Sequence, residues 1–341
     1  MNTRKGVIMR ASLQQRVDLQ LANEASFRDA DRWDFDEMSK LAALICTSRD
    51  HEIDAQRYRE VKRILKQNAG IFSNWRGLMQ VVVVTKMTLA DDPQAYFEGV
   101  NAAYRKLTEG KILREEEHAL CAMTLYEACT PERLDGAIAQ TLAQYRAARQ
   151  AHPVITSSSD LTMLALMVLA GYDVEEASNN AEECNELLKP FLKMFPDTRQ
   201  MTSHVLVLSD KPSQEKVDKF WSLYQALKAA KHAMSRSMAI SILAAYVDLD
   251  IPESQLVSEI SEVDEYLKGR KGYGNVFGVG SSFRRLMAAV LVLQDHLAKE
   301  GMHIVNATST AIVEAIAEQI VSTIILLVVI TTINVSNSSH N

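Results

Sequence analysis

The feature that most constrains this fold is a rhythm of about forty residues in its amphipathic segments. Equivalent points of six such segments are Tyr58, Tyr104, Tyr145, Cys184, Tyr224 and Tyr266, separated by 46, 41, 39, 40 and 42 residues. An apolar segment and a short connector rich in Asp or Pro, such as ADDPQ or LDIPES, precede the later copies. One such unit cannot bury its apolar face, whereas stacked copies can. The pattern therefore predicts an all-α fold of about six stacked helical hairpins, a HEAT- or armadillo-like α-solenoid or α-α superhelix.

The repeat boundaries follow from the connectors within a single domain spanning 1–341. We place helical hairpins at 34–70, 71–110, 111–151, 152–194, 195–233 and 234–270, a Gly-rich connector at 271–281, and C-terminal helices at 282–335. The VVVV run at 81–84 alone would indicate a strand, but its register with the other copies favours a buried helix. A non-repeating helical bundle with a coincidental rhythm is the alternative, and it is also all-α.

Charge and cysteine usage limit the partners and the compartment. The net charge is -6 and no run of Lys or Arg is long, which argues against a nucleic-acid partner. The N-terminal apolar patch is too short for a signal sequence. Four cysteines without CxxC spacing lie in apolar helical contexts, and they are Cys46, Cys121, Cys129 and Cys184. We therefore expect free thiols and a cytoplasmic location.

A glycine-rich stretch, KGYGNVFGVGSSFRR, is the strongest single candidate for a ligand site. Its backbone N–H groups, a serine-capped helix start and two arginines are typical of anion binding. The candidate residues are Lys271, Gly272, Gly274, Gly278, Gly280, Ser281, Ser282, Arg284 and Arg285. The stretch has no GK[ST] and follows a helix rather than a strand, so an irregular connector with a glycine at the preceding helix end is the favoured alternative.

Two histidines and their neighbours are weaker candidates. His152 precedes the SSSD turn that ends in Asp160, while Ser203 and His204 lie in the apolar segment TSHVLVLSD. A histidine on an apolar face is usually a hydrogen-bonded core residue, but in a curved array both would line the concave side. No nucleophile motif and no complete set of metal ligands is evident. The sequence therefore predicts no catalytic residue, no metal and no cofactor, and it favours a binding protein over an enzyme.

The C-terminal tail is uncharged from 319 to 339. Its apolar core of 16 residues would span roughly 24 Å as a helix, short of the roughly 30 Å of a bilayer core. No Lys or Arg follows Lys299 to form a cytoplasmic flank. A helix buried against the repeats is favoured, with a homodimer interface and a membrane anchor as alternatives.

Several stretches resemble a bacterial family of all-helical proteins known only as domain of unknown function 4003. They are IFSNWRGL, HPVITSSSDLTMLALMVLAG, RQMTSHVLVLSDKP and KGYGNVFGVGSSFRRLMAAVLVLQD, in this order along most of the chain. The resemblance implies an all-helical fold and carries no catalytic residue with it. The Ile/Val-rich tail departs from the alanine-richer helix that the family leads us to expect.

Three functional hypotheses remain open. The leading one is a scaffold that binds an unidentified protein or peptide in a concave groove, because stacked repeats produce such surfaces. The second is a small-ligand or phosphate-binding protein, in which the glycine-rich stretch and the two histidine segments would converge on one pocket. The third is membrane association through the tail.

Overall fold

The structure, a computed structural model, describes residues 9–31, 36–70, 73–77, 79–109, 115–151, 156–235, 237–274 and 278–300. These ranges contain thirteen α-helices, two 3₁₀ segments and no strand, which confirms the all-α prediction. His152 and the tail at 319–339 lie outside the described residues. The three hypotheses about the tail therefore stay predictions.

The helices alternate between apolar and amphipathic along the chain. Their bounds are α1 Ala11–Ala30, α2 Asp36–Ser48, α3 Ala55–Asn68, α4 Met79–Leu89, α5 Pro93–Leu107, α6 Glu116–Ala128, α7 Pro131–Ala151, α8 Leu161–Leu169, α9 Val174–Leu192, α10 Pro196–Val207, α11 Ser213–Ala229, α12 Glu253–Lys268 and α13 Gly280–Glu300. The 3₁₀ segments are Ser158–Asp160, directly before α8, and Met238–Tyr246, between α11 and α12. The VVVV run lies in α4, so it is helical as its register predicts.

These elements form two layers. The inner layer consists of α2, α4, α6, α8, α10, the 3₁₀ segment Met238–Tyr246 and α13, and each of them packs against the next. The middle turns of the inner helices are buried, and α8 is buried along its whole length. The outer layer consists of α1, α3, α5, α7, α9, α11 and α12, which also pack in sequence. Each predicted repeat range holds one inner segment followed by one outer helix.

The Asp/Pro connectors start the outer helices. Asp92 caps α5 by accepting hydrogen bonds from the backbone N–H groups of Gln94 and Ala95, and Pro93 occupies the first helical position. Asp54 and Asp173 cap α3 and α9 through their side chains in the same way. The repeated connector is therefore a repeated helix start.

The array closes on itself, a feature that the repeat pattern does not indicate. Helix α1, which belongs to no predicted repeat, packs against α13. It also reaches α12, because Arg10 just before α1 donates to Glu259 at 2.6 Å. Arg10 bonds to Asp295 of α13 at 2.9 Å, and His296 lies 2.6 Å from Glu259. We call Arg10, Glu259, Asp295 and His296 the closing joint.

Two further expectations concern thiols and membranes. All four cysteines are free, as predicted, and three of them are buried. Among the described helices, none has an apolar stretch long enough to cross a bilayer. The cytoplasmic location stays a prediction.

Candidate functional site

A cavity of about 270 Å³ lies between α7, α8, α9 and α10. Its apolar wall consists of Ala148, Leu164, Met167, Ala177 and Ala181. Its polar wall includes Gln144, Ser178, Glu182, Gln200, Ser203 and His204. The volume is close to the lower end of the range for small-molecule sites, about 300 Å³, and the mixed lining is also typical of such sites.

Helical spacing explains how the polar groups meet on one side. Residues four apart lie on the same face of a helix, one turn above the other. Ser178 and Glu182 have this spacing on α9, and Gln200 and His204 have it on α10. Both faces turn toward the cavity. The inner helix α10 thus presents two polar side chains to the cavity from a buried position.

Asp160 and His204 form a buried pair beside the cavity. The Asp160 carboxylate accepts a hydrogen bond from the backbone N–H of Ser157 at 2.9 Å, the contact that a capping box makes at a helix start. Its other oxygen lies 3.4 Å from Nδ1 of His204. Burial raises the pKa of the Asp160 carboxyl above its ordinary value, and His204 offsets that effect only in part.

Two glutamines next to this pair hold carbonyl oxygens without a hydrogen-bond partner among the described residues. Gln144 donates through Nε2 to the backbone oxygen of Tyr172 at 3.2 Å, and its Oε1 remains free. The side chain of Gln200 hydrogen-bonds to Asp160, and its Oε1 is free as well. The two residues are 2% and 6% exposed. A buried acceptor without a hydrogen-bond partner destabilises the folded protein, because it has given up its hydrogen bonds to water.

The histidine-segment candidates converge here in part. Ser203 and His204 line the cavity, and Asp160 contacts His204 from behind. The Ser203 hydroxyl donates to the backbone oxygen of Gln200 at 2.8 Å, so it is engaged within its own helix. The structure brings together Asp160, Ser203 and His204, while His152 lies outside the described residues.

The arginines of the glycine-rich stretch are held by protein groups. Arg284, which is buried, donates to Asp264 at 2.6 Å and to the backbone oxygen of Tyr273 at 3.1 Å. Arg285 donates to Asp264 at 3.3 Å and to the backbone oxygens of Ala233 and Lys231. These contacts tie α12, α13 and the end of α11 together. They favour a structural role for both guanidinium groups.

The loop itself is also bonded internally. The backbone N–H groups of Val279 and Gly280 donate to the carbonyls of Gly272 and Gly274. A Cβ at Gly278 would meet the backbone of Gly272 at 2.7 Å, so this close approach requires glycine.

The remaining candidates of this stretch lie nearby. Ser282 Oγ accepts a hydrogen bond from the backbone N–H of Ser235, Lys271 is exposed, and Ser281 is half-buried. None of the stretch's described residues lines the α7–α10 cavity, and the anion site stays a prediction.

One group of described residues has the spacing of metal ligands. Ligand atoms of His232, Asp264 and Glu265 lie within 4.8 Å of one another. However, Asp264 already bonds to Arg284 and Arg285, whose two positive charges oppose a cation. This cluster is an ion-pair network of the protein.

Two other cavities differ from the α7–α10 cavity in character. One of about 360 Å³ beside Tyr246 and Leu256 is lined mostly by apolar side chains. The other, about 430 Å³, contains the resemblance motif around Trp75. There Trp75 donates to Asn101 at 3.2 Å, and Asn74 donates to the Tyr104 hydroxyl at 2.9 Å, so these polar groups satisfy one another.

Sequence reasoning missed Gln144, Glu182 and Gln200. Gln144 and Glu182 lie on amphipathic outer helices, where a polar residue is expected to face solvent. Gln200 had a detectable signal, because it stands four residues before His204 in a helix that packs in the inner layer. A polar pair with that spacing on a buried helix indicates a shared polar site.

Comparison with known proteins identifies a family. Neither the curated proteins nor the solved structures gave a match to this chain. A family model described as "Protein of unknown function (DUF4003)" matches residues 25–321, which include every helix from α2 to α13 and the last turns of α1. The match agrees with the resemblance of the four quoted stretches. The chain therefore belongs to the DUF4003 family.

Proposed function

We propose that this protein binds a small organic molecule in the α7–α10 cavity. The observation that carries the proposal is the convergence of a buried Asp160–His204 pair and two unpartnered glutamine oxygens on one cavity. Buried polar groups without partners are costly in a protein interior. A bound ligand that hydrogen-bonds to them offsets that cost.

Two observations favour a small ligand over a protein partner. The described array closes through α1, α12 and α13, whereas an extended groove is a property of an open array. In addition, the described residues expose two large apolar side chains, Met194 and Phe195. Protein interfaces are enriched in such side chains at their centre, so this surface offers little of what a protein partner would contact. The scaffold hypothesis and membrane association stay predictions.

The site has the properties of a binding site rather than of a nucleophilic active centre. Ser203 and His204 are consecutive in α10, so their side chains point in directions about 100° apart. The Ser203 hydroxyl donates within its own helix. The Nδ1 edge of the His204 ring faces the Asp160 carboxylate at 3.4 Å.

A fragment screen with a cavity-filling variant tests the proposal. The probes are neutral, cationic and anionic molecules of about six to twelve non-hydrogen atoms, measured by thermal shift on the full chain. Ala148 lines the cavity, and Ala147, its neighbour on α7, does not. We expect Ala148→Phe to fill the cavity and Ala147→Phe to serve as the matched control.

Binding in this cavity predicts fragments that raise the melting midpoint of the wild type and of Ala147→Phe but not of Ala148→Phe. Saturation at 100 times Kd adds about 2.7 kcal/mol, which is readily detected. Silence across the whole panel, or hits that Ala148→Phe retains, would overturn the proposal.

A further inference from the structure

We infer that the ligand of the α7–α10 cavity is a neutral molecule with a primary carboxamide group on a compact apolar body. The inference rests on the proposed function and names its ligand class. It follows from the direction of the hydrogen bonds that the cavity leaves open, from the charges beside the cavity and from its apolar wall.

Two acceptors of the cavity have no partner among the described residues. Gln144 donates through Nε2 to the backbone oxygen of Tyr172, which can only accept, so the orientation of this amide is fixed and Oε1 is its open atom. Gln200 hydrogen-bonds to Asp160, and its Oε1 is open as well. Both glutamines line the cavity, one from α7 and one from α10. A ligand that satisfies both oxygens has to donate two hydrogen bonds.

One donor of the cavity completes the pattern. Asn185 of α9 lines the cavity, and its Oδ1 accepts a hydrogen bond from Nε of Arg199 at 2.9 Å. A guanidinium group can only donate, so this contact fixes the orientation of the Asn185 amide. Nδ2 of Asn185 makes no hydrogen bond to a described residue, and it is therefore available to donate to a ligand.

A primary carboxamide matches two acceptors and one donor within a single group. Its NH₂ offers two donors to the Gln144 and Gln200 oxygens, and its carbonyl oxygen can accept from Asn185. A ketone keeps the acceptor but has no donor, and a carboxylate has no donor either. An ammonium group has donors but no acceptor.

The charges beside the cavity favour a neutral ligand. Arg199 contributes a positive charge next to Asn185, and Glu182 contributes a negative one, which already interacts with another protein group. These two charges are opposite in sign, so together they select neither a cation nor an anion. Burying an ion without a partner of its own costs more free energy than burying a neutral polar group.

The apolar wall sets the body of the ligand. Ala148, Leu164 and Met167 are among the residues that form this wall. An apolar cavity of about 150 Å³ holds one benzene molecule. The cavity volume of about 270 Å³ therefore has room for a six-membered ring together with a carboxamide group.

Two series of probes test the inference in the full chain by isothermal titration calorimetry. The first is benzamide, acetophenone and benzoate, and the second is cyclohexanecarboxamide, cyclohexyl methyl ketone and cyclohexanecarboxylate. Within each series the ring and the number of non-hydrogen atoms are constant, while the carbonyl carries NH₂, CH₃ or O⁻. The ketone leaves both glutamine oxygens without a donor, so we expect at least one amide to bind at least about tenfold more tightly than its ketone. Neither carboxylate should bind.

Variants then assign the hydrogen bonds to their residues. Gln144→Met removes one acceptor and keeps the length of the side chain. Gln140→Met makes the same change one turn earlier on α7, at an exposed residue that does not line the cavity. We expect Gln144→Met to lower the ratio of amide to ketone affinity about fivefold and Gln140→Met to leave it unchanged. If Gln144→Met fails to fold, Gln200→Met provides the same measurement.

Asn185→Leu distinguishes the donor from the acceptors. Because amide and ketone both have a carbonyl oxygen, this variant should weaken the binding of both and leave their affinity ratio unchanged. A ratio that neither Gln144→Met nor Gln200→Met lowers would overturn the inference.

The outcomes separate this inference from the proposed function. If a ketone or a carboxylate binds as well as its amide and Ala148→Phe abolishes that binding, the cavity is a ligand site but the carboxamide inference fails. If amide binding survives Ala148→Phe, or if neither amide binds, the inference also fails, and the fragment screen alone then decides the proposed function.

Discussion

Two buried histidine–carboxylate pairs in this molecule have opposite surroundings. In the closing joint, His296 lies 2.6 Å from Glu259, and Arg10 donates to the same carboxylate and to Asp295. Beside the cavity, His204 lies 3.4 Å from Asp160, and no arginine is bonded to that carboxylate among the described residues. In the closing joint an arginine bonds to both carboxylates. The Asp160–His204 pair instead adjoins the cavity that the unpartnered oxygens of Gln144 and Gln200 also reach.

The carboxyl pKa values reflect this difference. Burial alone would raise the pKa of Glu259, but hydrogen bonds from His296 and Arg10 lower it to about 2. For Asp160 burial is the dominant effect, and the pKa is raised. A carboxylate with a lowered pKa stabilises the folded state, while one with a raised pKa is held at a cost. Such a cost is typical of functional sites rather than of structural joints.

The largest effect is expected at Arg284, which joins α13 to α12 through Asp264. Arg284→Ala leaves Asp264 buried with weaker compensation from Arg285 and His232. Removing one partner of a buried ion pair costs about 3 kcal/mol or more. We therefore expect the free energy of unfolding in urea to fall by about 3 kcal/mol.

Lys271→Ala is the control, because Lys271 is exposed and lies in the same glycine-rich stretch. We expect it to change stability by less than about 0.5 kcal/mol. Full stability of Arg284→Ala together with the loss of phosphate binding would instead make the stretch an anion site. In that case the glycine-rich stretch would be a binding site, and the α7–α10 cavity would no longer be the candidate site that differs from a structural region.

Glu259→Gln should have the next largest effect. The lowered pKa means that ionised Glu259 stabilises the fold by an amount on the order of 1 to 2 kcal/mol, allowing for screening at the joint's edge. This contribution is complete above about pH 4.5 and is lost as the pH falls toward 2. In urea, Glu259→Gln should therefore have a lower free energy of unfolding than the wild type at pH 7, and this difference should shrink as the pH is lowered toward 3.

Glu262→Gln provides the comparison on the same helix, since Glu262 is half-buried and bonds to Ser258 one turn earlier on α12. We expect no measurable change from it. If Glu259→Gln were as stable as the wild type at pH 7, the Glu259 carboxylate would not stabilise the fold. The contrast between Glu259 and Asp160 would then not hold.

The repeated helices are predictable from sequence, whereas the closure is not. Apolar and amphipathic segments alternate with a fixed spacing, and Asp92 before Pro93 marks a helix start by local chemistry. Arg10 and Glu259, in contrast, are 249 residues apart and have no local pattern in common. Only the successive packing of helices along the two layers brings them together, and that packing is a tertiary property.

The candidate site is predictable in part for the same reason. Asp160, Ser203 and His204 stand out because they are polar residues in or next to apolar segments. Gln144 and Glu182 do not, because the outer helices carry many polar residues and the sequence does not show which face turns inward. The register between α7 and α9 decides that, and it is a tertiary property.

Asp160→Asn should have the smallest effect on stability and the opposite sign to Glu259→Gln. The amide keeps an oxygen that can accept from the Ser157 backbone, and it removes a charge that burial disfavours. We expect unfolding free energy at pH 7 to stay within about 1 kcal/mol of the wild type or to rise slightly. Folding raises the pKa of Asp160. The free energy of unfolding of the wild type therefore increases as the pH falls through that pKa, and Asp160→Asn lacks this increase. Urea unfolding of both proteins at pH 7 and pH 5 tests these two expectations. If Asp160→Asn lowered the free energy of unfolding at pH 7 by more than about 2 kcal/mol, the Asp160–His204 pair would be a structural joint.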